Sequence, residues 1–183
     1  MIHTIADFVF SHLCHQEAAR CWAPGGVVLA FCQRCTGVYA GAALVLFLLP
    51  LMKLKPSRKI LFIHGLFMIQ MLIFGFHLIP HSATIRTLSG QLFIIGVFYF
   101  LWLNVQNRWG LFQTNRSSRS YFAGVIIVLL LMQLFVRAPF AFACAFVEIL
   151  GLLGFVTIVA AAFITVFELC TFDIFRQLRQ KIK

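Results

Sequence analysis

The densest chemistry in this sequence lies in four residues, Cys32-Gln33-Arg34-Cys35. Two thiols three positions apart, where an apolar helix begins, share one face of its first turn. Such a pair can chelate a soft metal ion or close a disulfide. Unpaired amides at a helix N-terminus favour the thiolate, which lowers the thiol pKa and raises reactivity. Arg34, between the two, pushes the same way. The plainer alternative is two small apolar side chains packed in a membrane.

Cys14-His15 supplies a second soft pair. Zinc takes four Cys and His ligands in a tetrahedron, and adjacent residues rarely both bind one ion. The expected set is therefore Cys14, Cys32, Cys35 and one histidine from His15, His77 and His81. The two later histidines are four apart, but Pro80 between them interrupts a continuous helix. Arg86, opening the turn Arg86-Thr87-Leu88-Ser89-Gly90, reads as an anion-attracting entry to a helix, or more plainly as an anchor to lipid headgroups. Glu148 stands inside a long apolar stretch, where an ionisable group needs a partner; Arg86 or Arg137 is the expected one, and a general-base role is open to the carboxylate. Cys144 and Cys170 read as packing residues, Cys21 as a thiol able to bridge to Cys14, and His64 as lying away from the cluster.

Helices in a membrane must position these residues. Of the 183 residues, 62% are hydrophobic and 11% charged, with 22 phenylalanines, and the mean hydropathy is +0.97. A water-soluble domain carries roughly 25% charged residues, so the solvent expected here is lipid. Apolar runs follow Cys35 to Met52, then Ile60–Ile79, about Leu88–Val105, Tyr121–Val136 and Ala138–Phe172. The last exceeds the roughly 20 residues that cross the hydrocarbon. It is expected as one long tilted helix, or as a partly re-entrant entry and a span bending near Gly151 and Gly154. Five spans put Lys53, Lys55, Arg58, Lys59, Arg108, Arg116, Arg119, Arg176, Arg179, Lys181 and Lys183 on one side. Only Arg20, Arg34, Arg86 and Arg137 remain for the other, a bias that predicts an outside N-terminus and a cytoplasmic C-terminus. The net charge of +10 thus belongs to loops, and no aromatic-interleaved basic surface suggests nucleic acid.

Met1 to Leu13 lacks the basic start of a secretory signal, and Asp7 and His12 interrupt it. Ile2, Ile5, Phe8, Val9 and Leu13 recur at helical spacing, as in a helix lying in the membrane interface. The expected fold is all-α, a polytopic bundle of about five transmembrane helices plus this interfacial helix. It forms a single membrane domain over 1–183: an outer N-terminal segment 1–31, a five-span bundle 32–172 and a basic cytoplasmic tail 173–183.

Two elements of the sequence resemble the prokaryotic membrane family catalogued as domain of unknown function 2085. The first is Cys14-His15-Gln16. The second runs from Cys32 through Arg34, Cys35, Thr36, Gly37 and Tyr39 to Gly41. A later family turn looks like Arg86 to Gly90, with Leu88-Ser89 where the family has Thr-Gly. The resemblance covers roughly residues 10 to 105 and implies a shared site without an assigned activity.

Three functions compete at this stage. A metal-binding inner-membrane protein, with zinc at the non-cytoplasmic face, would use the mixed Cys and His group. A thiol–disulfide oxidoreductase would pass electrons from Cys32 and Cys35 to a quinone, with Cys14 and Cys21 as relay. A small-anion carrier would use Arg86 and Arg137 as an outer vestibule. The expected partners are the lipid bilayer, a small-molecule or lipid substrate and a second copy of the chain. Mixed Cys and His favours the metal, because disulfide exchange needs thiols alone.

Overall fold

A computed structural model of the chain describes residues 1–48, 51, 57–75, 82–109 and 118–181. Among these the protein is all-helical. Helix α1 is Ile2–Ser11; α2 is Gln33–Cys35, which passes through a π-helical turn, Thr36–Ala40, into α3, Gly41–Leu48. Then come α4 (Arg58–Gly75), α5 (Ala83–Trp109), α6 (Ser118–Val136) and α7 (Ala141–Lys181). Between α1 and α2 the chain makes two short 3-10 turns, Ala18–Arg20 and Pro24–Gly26.

Among the described residues, three helices are long and apolar enough to cross a membrane: Ala83–Leu103, Ser118–Val136 and Phe142–Phe167. The stretch Gln33–Leu48 is a shorter apolar helix. Between the long helices α6 and α7 the chain turns at Ala138-Pro139, where proline has no amide to donate and its ring disfavours helix before it. The last apolar stretch is one helix of 41 residues, about 60 Å long at 1.5 Å per residue. The re-entrant alternative is thereby replaced.

The centre of the bundle is the rod from Gln33 to Leu48. Its buried residues are mostly small: Gly37, Ala40, Gly41, Ala42 and Ala43. In lipid, apolar contact alone gives helices little reason to associate, so small residues that let backbones meet supply the packing. The rod lies between α5 and α7 and is approached tightly by both. A Cβ on Gly37 would overlap the carbonyl oxygen of Thr87 and stand 2.9 Å from the Gln91 nitrogen. A Cβ on Gly90 would overlap the carbonyl of Arg34, and one on Gly154 would overlap that of Tyr39. Large apolar side chains point outward instead, as Phe62, Leu66, Ile69 and Leu72 do along α4.

Helix α1 packs on the bundle by one face and leaves the other open. Ile5, Phe8 and Leu13 are exposed, whereas Ala6 and Phe10 are buried. Phe10 meets Phe31 at 4.6 Å and Tyr39 at 4.9 Å between ring centroids. Helix α1 is thus docked against the bundle by the face of Ala6 and Phe10, with Ile5 and Phe8 turned out. The loop after it is tied to the start of α5 and to the turn between α6 and α7. Gly25 N–H donates to the Ala138 carbonyl at 3.1 Å, and Trp22 Nε1 donates to Thr87 Oγ1 at 2.8 Å.

Replacing Gly37 by alanine should cost roughly 2 kcal/mol or more, because a methyl group cannot fit without parting α2 from α5. Gly65 of α4 has nothing within 4 Å of an added Cβ; Gly65→Ala should stabilise by about 0.5–1 kcal/mol by removing backbone freedom. Thermal unfolding of both variants in one detergent measures the contrast. Equal midpoints would show that the close crossing does not limit stability.

Candidate metal centre

Three sulfur atoms, those of Cys14, Cys32 and Cys35, lie within 4.8 Å of one another. A tetrahedral zinc ion with Zn–S of about 2.3 Å separates its sulfurs by about 3.8 Å, so small side-chain adjustments close the set. Each thiol has a definite support. Cys32 is the N-cap of α2, with extended backbone, and its carbonyl accepts both the Thr36 amide at 2.8 Å and the Thr36 hydroxyl at 3.0 Å. Cys35 follows one turn later on the same face. Cys14 is held by its amide, which donates to the Phe10 carbonyl at 2.8 Å past the end of α1. The Cys32 amide in turn donates to Cys14 Sγ at 3.2 Å.

Gln16 fixes the approach of these two chain segments. Its φ of 49° is left-handed, a conformation uncommon for a residue with a long side chain. That turn reverses the chain directly after Cys14-His15. The Gln16 side-chain amide then donates to the Ala30 carbonyl at 2.7 Å and to Asp7 Oδ1 at 3.1 Å. Ala30 also donates its amide to Glu148 Oε1 at 3.3 Å. The strand-like approach to Cys32 is therefore gripped on both backbone groups of one residue.

Electrostatics at the thiols differ from one sulfur to the next. Hydrogen bonds from the Cys14 and Cys35 side chains, with the amides of Cys35 and Arg34, hold Cys32 far below the ordinary thiol range. Charge-assisted bonds of this kind stabilise a thiolate at a helix start. Cys21 goes the other way. Burial, and then the neighbouring Cys32 and Cys14, push its thiol up to about 11. Its backbone bridges to Cys32, while its Sγ donates to the Glu17 carbonyl at 3.3 Å. Cys14 thus meets Cys32 and Cys35, with Cys21 near enough for Cys32 and Cys14 to act on its thiol.

A cavity of about 200 Å³ opens beside the sulfurs. His15 lines it, together with Arg20, Gln33, Arg34 and Arg86. His15 is the described histidine that shares a wall with the thiols, but its ring nitrogens stand outside the set of ligand atoms within 4.8 Å of one another; His77 and His81 lie outside the described residues. Glu148, 1% exposed, does not line the cavity. Its carboxylate takes the Ala30 amide and His3 Nδ1 at 2.6 Å. Neither expected arginine reaches it: Arg86 donates to Gln33 Oε1 at 3.4 Å, and Arg137 donates to Thr84 Oγ1 and sits over the Trp22 ring. The partner is His3 because α1 folds back over the head of α7, a contact spanning 145 residues of chain that no local spacing announces. Cys144 is buried, the Cys170 side chain lies outside the described set, and His64 bonds Tyr121 Oη at 2.6 Å within the bundle.

In metal-free protein, iodoacetamide at pH 6.5 should modify Cys32 well before Cys21. The lowered group is already thiolate there, and the raised one is still protonated. Peptide mass spectrometry across a pH series reads the order; Cys21 reacting first would refute the assigned thiolate.

Residues 14–100 match the family model described as a predicted membrane protein (DUF2085). No curated protein and no solved structure matches the chain. The matched stretch begins at Cys14 and takes in all three clustered thiols, the Gly37 and Gly90 crossing, and Arg20, Arg34 and Arg86 of the cavity. By the residues that build its three-thiol site, this chain is matched to the predicted membrane proteins of DUF2085.

Proposed function

We propose that this chain is a five-span inner-membrane protein with a zinc centre at its non-cytoplasmic face. Cys14, Cys32 and Cys35 are the thiolate ligands. His15 is the fourth ligand offered by the cavity wall, with His77 and His81 as the competing choices. The observation that carries this reading is the meeting of three sulfurs from two separate chain segments within 4.8 Å. Two spans beyond the three long helices are drawn from Gln33–Leu48 and Arg58–Gly75 with the residues that follow them. The alternation of basic loops sets the orientation. Arg58, Lys59 and Arg119 then flank the inner ends, and Arg34 and Arg86 the outer ones. Bound metal would pin the N-terminal segment over the bundle, since Cys14 and Cys32 come from opposite sides of the loop. Glu148 enters as the anchor of the loop carrying Cys32.

One observation favours a second reading. Cys32 at the N-cap of a helix, with Cys35 one turn on, is the arrangement of an attacking thiolate and its resolving thiol. Electrons would then pass to a quinone in the bundle. A third thiol placed against both sulfurs weighs for the metal, because exchange uses thiols in pairs.

Protein extracted in mild detergent without chelators should hold about one zinc per chain, with Cys14, Cys32 and Cys35 protected from alkylation until the metal is stripped. Cys35→Ser should lose the ion, and Cys144→Ala should keep it. Elemental analysis with thiol titration reads both. Metal-free wild type whose Cys32–Cys35 pair switches with redox state in cells would replace the first reading by the second.

A further inference from the structure

The cavity beside the thiols is unbalanced in charge. Among the described residues, no aspartate or glutamate lines it. Arg20 is matched by Glu17, with Nε to Oε2 at 2.9 Å. Among the described residues, the acceptors of Arg34 and Arg86 are neutral: the Phe74 carbonyl at 2.7 Å for one, and Gln33 Oε1 at 3.4 Å for the other. Both arginines also carry a buried Nε–H with no hydrogen-bond partner among the described residues. A buried donor on a cation is costly to leave unmade. Each of two residues lining one small cavity, one from α2 and one from α5, thus keeps a donor that no described residue satisfies.

Charge arithmetic gives the sign of a ligand that would satisfy them. A divalent ion with three thiolates sums to one negative charge; two guanidiniums add two positive ones. One positive charge remains. Guanidinium forks suit phosphate-class oxygens, which can accept from two cations at once. About 200 Å³ admits such a group and excludes a whole lipid.

We propose that Arg34 and Arg86 hold a phosphate-class oxyanion in the cavity against the three-thiol centre, as the substrate or ligand group of that site. This inference deepens the metal-centre reading and rests on it for the charge count. The oxyanion reaches the cavity either as a free solute or as the headgroup of a lipid in the outer leaflet. In both cases the same two guanidiniums bind it.

Full-length protein in a sugar-headed detergent, which carries no phosphate, is titrated with inorganic phosphate by calorimetry, and zinc is measured in the same samples. Wild type should bind phosphate saturably. Arg34→Gln and Arg86→Gln should each weaken binding at least tenfold, the loss of one charge-assisted contact, with zinc content unchanged. Should Arg86→Gln lose its zinc and its unfolding transition, Arg86→Lys serves instead: the charge stays, the fork goes, and binding should weaken severalfold. Nanodiscs containing phosphatidylglycerol separate the sources. Phosphate excluded there supports the site with a lipid headgroup as occupant, and phosphate bound as before supports it with a free solute. No phosphate binding to wild type in detergent, or binding indifferent to both arginines, overturns the inference. Arginine-dependent phosphate binding by a protein that holds no zinc removes the metal and leaves the oxyanion site standing.

Discussion

Where the first turn of α2 crosses α5, neither helix has room for a side chain. Gly37 lies on the Thr87 carbonyl and Gly90 on that of Arg34, so the two backbones touch directly. This contact sets everything above it. It fixes the height at which α2 begins, and with it the positions of Cys32 and Cys35. It also brings Arg86, one turn before Gly90, beside the same thiols. The π-helical turn at Thr36–Ala40 follows at once, and such turns are frequent at functional sites. Here it re-aims the rod so that Tyr39 faces Phe10 and Gly154 while Gly41 stays on α5. In lipid, packing at this distance supplies what apolar burial would supply in water.

The N-terminal segment is assembled onto that frame by polar bonds. Gln16 grips Ala30 by its carbonyl, Glu148 grips it by its amide, and Trp22 reaches Thr87. A carboxylate this deep in a bundle is expensive. Its pairing with His3 and a backbone amide turns that cost into a fixed position for the loop. The thiol of Cys14 therefore meets Cys32 by construction from both sides, before any ion is considered.

Some of this could be read from the residues alone. Apolar length announced α5, α6 and α7, and ligand chemistry grouped Cys14 with Cys32 and Cys35, because soft donors in separate segments are useful only together. The docking face of α1 could not be read in the same way. Phe8 and Phe10 are equal in size, yet one is exposed and the other buried beside Ala6. The rings of Phe31 and Tyr39, which no local spacing announces, select Phe10. His3 was equally silent, since a lone histidine three residues from the start carries no spacing to interpret. Gln16 was visible within the Cys14-His15-Gln16 element, but its left-handed turn is a property of the backbone. Residue type does not reveal it.

The three sulfurs also constrain what can happen among them. A disulfide between Cys32 and Cys35 would consume the two thiols on one helical turn and leave Cys14 against an uncharged bridge. The Cys32 amide would then donate to a sulfur that has lost its neighbours. The surrounding charges would be worse served still. Among the described residues, Arg34 and Arg86 hydrogen-bond neutral acceptors, and oxidation of the pair removes the thiolate charge beside them. A cation bound by all three sulfurs keeps those thiolates in place and leaves a net negative group beside two guanidiniums. On the proposed reading, the arginines would favour the metal-loaded form of the cluster over its oxidised form, and the same positive excess would draw an anion to the site.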